Sequence, residues 1–145
     1  MLFRRRKRIL AQLDSSFGQF KNESFNFDLI KRYNANKDNS EAFQELTDQT
    51  CNDLDFDLFF AYADRTNSKI GQQYLYNKLK VIDPSNKEFE TQEEVLQYLS
   101  VNPEERLNIQ YLLNRLNHDQ AYYLVDLFQK EMEQKPKWHF IFPLI

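Results

Sequence analysis

Residues 50–79, TCNDLDFDLFFAYADRTNSKIGQQYLYNKL, constrain the fold more than any other stretch. Phe56, Phe59, Phe60 and Ala63 recur at i, i+3, i+4 and i+7, one face of a helix. Asp55 stands where its carboxylate can cap that helix. The polar run Asp64-Arg65-Thr66-Asn67-Ser68 then breaks it, and Ser68 can cap a second helix. In that second helix Gly71, Leu75, Leu79 and Ile82 share a stripe, with Tyr74 beside it. A glycine inside a helix costs about 1 kcal/mol relative to alanine. The expected reason to carry one here is the close passage of another backbone.

The rest of the chain reads the same way. Residues 1–22 form a basic amphipathic arm or helix, with Arg4, Arg5, Arg6, Lys7 and Arg8 beside Leu2, Phe3, Ile9, Leu10 and Leu13. Residues 23–134 read as a helical core domain. Ser24 is placed to cap a short helix carrying Phe25, Leu29 and Tyr33. The run NANKDNS, residues 34–40, is loop-like, and Ser40 could cap a segment over residues 41–46. After a break at Asp83-Pro84-Ser85-Asn86, Thr91 and Glu94 have the spacing of a capping box. Asn102-Pro103 fits N-cap and first helical residue. The helix from Pro103 shows Ile109, Leu112, Leu113 and Leu116 on one face; a last helix shows Ala121, Leu124, Val125, Phe128 and Met132.

No segment alternates at period two, and two glycines with four prolines are too few for a turn-rich β fold. A 41% hydrophobic share over 145 residues is enough for a real core. The fold class expected is all-α, a bundle of about six or seven helices.

Several chemistries fail on their residues. Asp53, Asp55 and Asp57 have the 1, 3, 5 spacing of a calcium loop, but Leu58 stands where the loop needs glycine. His118 and His139 are isolated, and the single Cys51 excludes an internal disulfide or a multi-cysteine metal site. No Gly-rich phosphate loop and no nucleophile–base set is present. The expectation is no catalytic residue, no metal ligand and no cofactor held by this chain. Phe43 is read as core.

Residues 135–145 form an apolar tail: Lys135-Pro136-Lys137, then Trp138 and a run to Ile145. Basic residues, a tryptophan and an apolar run resemble the approach to a bilayer. Tail docking on the core is the alternative. Of the net charge of −3, residues 4–8 supply +5, leaving −8 elsewhere, a poor general surface for nucleic acid. Three roles stay open for the basic cluster: a solvated helix, contact with anionic lipid, or contact with DNA phosphate. A cytoplasmic chain is expected, with the inner face of a membrane as one site for its two ends.

The run Asp64-Arg65-Thr66-x-Ser68-x-x-Gly71-x-x-x-Leu75-x-x-x-Leu79 resembles the start of the helical core, or lever, domain of the MutS family of DNA mismatch-repair ATPases. The run from Gln92 to Leu99 resembles that domain's next helix. Gln72 and Gln73 stand where the family commonly has basic residues, and Gln92 where it usually has arginine. The resemblance spans residues 48–130. It implies a lever that transmits ATPase state, with Asp64, Arg65, Thr66, Ser68 and Gly71 setting the angle between the two central helices. It implies ATP and magnesium bound elsewhere in a parent protein. The partners considered are that ATPase portion, DNA, and a second copy in a homodimer. Phe43-Gln44-Glu45 matches the letters of the family's mismatch-reading motif but lies too close to the core motif for a separate mismatch domain. The rival reading is a stand-alone helical adaptor for a protein partner or an anionic membrane surface.

Overall fold

The computed structural model describes residues 2–82 and 86–129. The tail over residues 135–145, Met132 and His139 lie outside them, as does the 83–85 break. The described chain is helical apart from one minimal ladder. In order it runs α1 (Leu2–Ser16), α2 (Phe27–Ile30), α3 (Arg32–Asn36), β1 (Gln44–Glu45), α4 (Asp48–Asp53), α5 (Phe56–Ala63) and α6 (Lys69–Lys80). Then come β2 (Val81–Ile82), α7 (Asn86–Val101), α8 (Pro103–Asn114), a 3-10 turn η1 (Asp119–Leu124) and α9 (Asp126–Gln129).

The apolar core is aromatic and centres on Phe60, which has no exposed surface. Phe25 and Phe27 meet its ring edge-to-face, each at 5.9 Å. Tyr76 of α6 lies 5.5 Å from Phe60 and 5.2 Å from Phe56. Such pairs add about 0.5–1.5 kcal/mol each beyond area burial. Ile30, Cys51 and Tyr122 complete the cluster. The expected α5 face is therefore half right: Phe56 and Phe60 are buried, while Phe59 is 50% exposed.

α6 is the central element and packs against α2, α3 and η1. Ser68 caps it as its position suggests, accepting from the Gly71 N–H at 3.0 Å. Its buried face is not the expected stripe. Leu75 and Leu79 sit at the core margin, and Tyr74 and Ile82 are exposed. The residues turned inward are Gln72, Gln73, Tyr76, Asn77 and Lys80. Nor is a passing backbone what a Cβ at Gly71 would meet first: its nearest neighbours would be Ser68 Oγ at 2.9 Å and Thr66 Cβ at 3.1 Å. The glycine makes room for the cap and the turn that precede its own helix.

Other boundaries move for identifiable reasons. Asp55 starts α5 but makes no side-chain cap; its backbone is left-handed, φ 48°, a conformation Asp tolerates better than most residues. That reversal lets α5 fold back from α4. Asn26, not Ser24, caps α2, accepting from the Leu29 N–H. The first half of the 34–40 run is helix α3, with Asn34 buried. Residues 41–46 form no helix; β1 pairs antiparallel with β2, Gln44 opposite Ile82 and Glu45 opposite Val81. Phe43, read as core, is 75% exposed beside that ladder. α7 begins at Asn86, so Thr91 and Glu94 lie inside a helix rather than capping one. Pro103 opens α8 as expected, but Asn102 before it makes no side-chain cap and donates instead to the Tyr98 carbonyl at 2.8 Å. The last helix is instead η1 followed by α9, with Ala121, Tyr122 and Val125 buried.

α1 lies antiparallel along α8. Arg6 stacks on Tyr111 at 5.4 Å, while Arg106 reaches Phe17 at 3.8 Å and Asp14 at 4.0 Å. The apolar anchor on α1 is Leu13, 6% exposed. The turn that follows α8 joins the start of α6 through a bond from the Lys69 N–H to the Leu116 carbonyl, 3.0 Å. The apolar residues of α7 and α8 point largely outward: Val95, Leu96, Val101, Ile109, Leu112 and Leu113 are all at least 42% exposed.

Candidate functional site

The turn between α5 and α6 is built around one buried carboxylate. Asp64 ends α5, its N–H bonded to the Phe60 carbonyl at 2.8 Å, and its side chain is fully enclosed. Oδ1 accepts from the Thr66 N–H at 2.8 Å, which closes the turn. Oδ2 accepts from Lys21 Nζ at 2.7 Å and from the Gln72 side-chain amide at 2.9 Å. Burial alone would push the Asp64 carboxyl up. The Lys21 ammonium, the Thr66 N–H and the Gln72 amide outweigh it and hold the group below its ordinary value of 3.8.

The neighbours of this carboxylate lock one another. Lys21 Nζ also reaches Thr66 Oγ1 at 3.3 Å and Glu23 at 3.6 Å. Glu23 accepts from the Gln72 amide at 2.8 Å and lies 3.5 Å from Lys69. The Tyr122 hydroxyl donates to Gln72 Oε1, tying η1 to the same point. Arg65 turns the other way. Its guanidinium donates to the carbonyls of Tyr62 (2.7 Å), Asp64 (2.8 Å) and Gly18 (3.4 Å) and stacks over Phe20 at 4.4 Å.

Further along α6 each turn holds another part of the chain. The Gln73 amide donates to the carbonyls of Leu29 (2.8 Å) and Tyr122 (3.2 Å). Asn77 donates to Asn34 Oδ1 at 2.7 Å and accepts from Lys37 at 3.1 Å. Asn34 in turn donates to Glu45 at 2.8 Å. Lys80 pairs with Asp48 at 3.0 Å; that bond and charge, with Glu45 nearby, outweigh burial and hold the ammonium above its ordinary 10.5.

Of the residues singled out in the sequence, Asp64, Thr66, Ser68 and Gly71 therefore meet at one turn, with Arg65 bracing its outer side. Leu75 lies at the core margin. Arg4, Arg5, Arg6, Lys7 and Arg8 belong to α1 and take no part. Sequence reasoning missed Lys21, Glu23, Gln72, Gln73, Asn34, Asn77 and Tyr122. The available signal was the amide series Gln72, Gln73 and Asn77 on the side of α6 that carries Tyr76.

This arrangement holds segments in place; it does not present a reactive group. Every acceptor position Asp64 uses is filled from within the chain, and no part of it meets solvent. Two of the open grooves border this network of ties. One, about 860 Å³, is lined by Asn34, Lys37, Asp48, Cys51, Tyr76 and Lys80 among others. The other, about 810 Å³, runs between the end of α1, the 65–67 turn and α8. Among the described residues no group of three or more His, Cys, Asp or Glu side chains is placed to hold a metal ion. Asp57, in the calcium-like spacing, pairs instead with Lys31 at 2.7 Å. No described helix is long and apolar enough to cross a membrane. Compared with family models, curated proteins and solved structures, the chain finds no significant match.

Proposed function

We propose that this chain is a mechanical module, the helical core or lever portion of a MutS-related, mismatch-repair-type protein. It carries the state of an ATPase, located elsewhere in the parent protein with its ATP and magnesium, into movement of helices. The observation that supports this reading is the set of side-chain ties along α6. Gln72, Gln73, Asn77 and Lys80 join it to the 21–23 link, η1, α2, α3 and α4. A displacement of α6 at its capped end moves all of them together, because buried polar ties have discrete rather than graded alternatives. The residues that carry the family resemblance are the ones that fix this end of α6.

A stand-alone adaptor is the second reading, favoured by the exposed apolar face of α7 and α8. In the lever reading the same face receives the rest of the parent chain. The reading frame beyond Ile145 separates the two. A phosphate-binding loop downstream, with hydrogen exchange in α6 and α8 that changes between nucleotide-free and ATP-bound parent protein, supports the lever. A stop codon after Ile145, or exchange that ignores nucleotide, overturns it. The isolated chain is expected to bind no ATP by calorimetry, and stoichiometric binding counts against the proposal.

A further inference from the structure

The first two turns of α1 carry Arg4, Arg5, Arg6, Lys7 and Arg8, where a helix already bears partial positive charge from its unpaired N–H groups. No acidic residue occupies the first turn. Arg6 is spent on Tyr111. Among the described residues no carboxylate pairs with Arg4, Arg5, Lys7 or Arg8, and all four are exposed. Mutual repulsion and the helix dipole both oppose this arrangement, and an anionic partner relieves both. The packing against α8 fixes how it is displayed. Arg6, Leu13 and Phe17 mark the inner side of α1, so Arg4, Lys7 and Arg8 fall on the outer side at i, i+3 and i+4. Phe3, four residues before Lys7 and three before Arg6, lies on the flank between Lys7 and the inner side and is 89% exposed.

We propose that the exposed side of α1 running from Phe3 through Lys7 and Arg4 to Arg8 docks on an anionic lipid surface, with Arg4, Lys7 and Arg8 at the headgroups and Phe3, at the edge of that side, inserted at the interface. Charge complementarity alone fits lipid or nucleic acid. Two features favour lipid. A phosphate-only contact with duplex DNA has no use for an exposed phenylalanine, whereas a bilayer rewards its burial. The basic footprint is also only two helical turns long on an otherwise acidic chain, which suits touching a plane at one edge rather than lying along a duplex.

The test is co-sedimentation of the full chain with phosphatidylcholine vesicles, with and without phosphatidylserine, alongside a short duplex DNA at the same salt. Binding is expected only with phosphatidylserine, and is expected to fade at high salt as screening shortens the reach of the charges. Arg4→Ala with Arg8→Ala should weaken it about thirtyfold, since each basic residue near such a surface is worth roughly fivefold. Arg4→Glu with Arg8→Glu should abolish it while leaving the circular dichroism of the chain intact, because an acid in the first turn suits the helix. Phe3→Ala should weaken binding several-fold without changing its salt dependence. Equal binding to neutral vesicles, no binding to either kind, indifference to the arginine substitutions, or preference for the duplex would each overturn the proposal.

Discussion

Removing one partner of the Lys21–Asp64 pair should cost more when Lys21 goes than when Asp64 goes. In Asp64→Ala the Thr66 N–H loses its partner, but Lys21 keeps Glu23 at 3.6 Å and the Gln72 amide keeps Glu23 at 2.8 Å. The loss should therefore sit near the lower end of the range for breaking a buried pair, about 3 kcal/mol. Lys21→Met instead leaves a carboxylate with no exposed surface and no cation beside it, so about 4–5 kcal/mol is expected. The double variant removes both charges and should cost well under the sum, with a coupling energy of about 2 kcal/mol or more. Asp64→Asn is no rescue. Asp64 accepts three donors on two oxygens, and a carboxamide in either orientation turns its own donor toward at least one of them. Urea denaturation of the four proteins at neutral pH measures all of this. Single losses below about 1 kcal/mol, or additivity within about 0.5 kcal/mol, would refute the claim that the buried pair organises this turn. The acid limb is a second readout. Asp64 is held below its ordinary value, so its contribution is complete above the unfolded pKa, near 3.9, and is lost as pH falls through the lower folded value. Asp64→Asn should flatten that part of the stability curve.

Gly71→Ala should destabilise by about 1 kcal/mol, because crowding Ser68 Oγ and Thr66 Cβ outweighs the gain in helix propensity; adding Ser68→Ala should then cost less than it does alone, and a stabilised Gly71→Ala would show that the cap moves freely. Burial pushes the Cys51 thiol above its ordinary 9.0 despite nearby Lys80. Disulfide-reagent labelling of the native chain at neutral pH should be far slower than in urea, and equal rates would place Cys51 at the surface. Burial also raises the Tyr76 and Tyr122 phenols well above their ordinary 10.0. The stability they contribute is present below the unfolded value and lost as pH rises past about 10, and denaturant midpoints that stay flat to about pH 11 would contradict it.

The sequence was legible where one local interaction decides the outcome. The Ser68 cap, Pro103 at the start of α8 and the burial of Phe56 and Phe60 are of that kind. It was not legible where a distant partner decides. The strands β1 and β2 are two residues each, too short for any period, and exist because residues 44–45 and 81–82 meet in space. Asn34 looked like loop because it is polar, yet its side chain is consumed by Glu45 and Asn77, 11 and 43 residues away. Asp55 has the right chemistry for a cap, but the chain needs a left-handed reversal there more than it needs a bonded carboxylate.

α6 failed for a more general reason: an apolar stripe identifies the buried face of a helix only where the core is apolar. Beside α6 the core must also receive the C-terminal end of α2, the side chains of the 21–23 link and the backbone of η1, all of which bring polar groups. Residue 72 illustrates what such a place requires. Its side chain donates to Asp64 and Glu23 and accepts from the Tyr122 hydroxyl at the same time. Lysine and arginine have no acceptor, and either would leave the Tyr122 O–H without the acceptor it uses here. Glutamine does both jobs without adding a second cation beside Lys21. The glutamine at 72 is thus accounted for by its buried partners, while Gln73 uses its amide N–H groups on two backbone carbonyls and its buried Oε1 has no partner among the described residues. At these two positions the chain has an internal tie where a basic residue would need solvent or an external anion, so any electrostatic contact it makes with a partner must come from another surface.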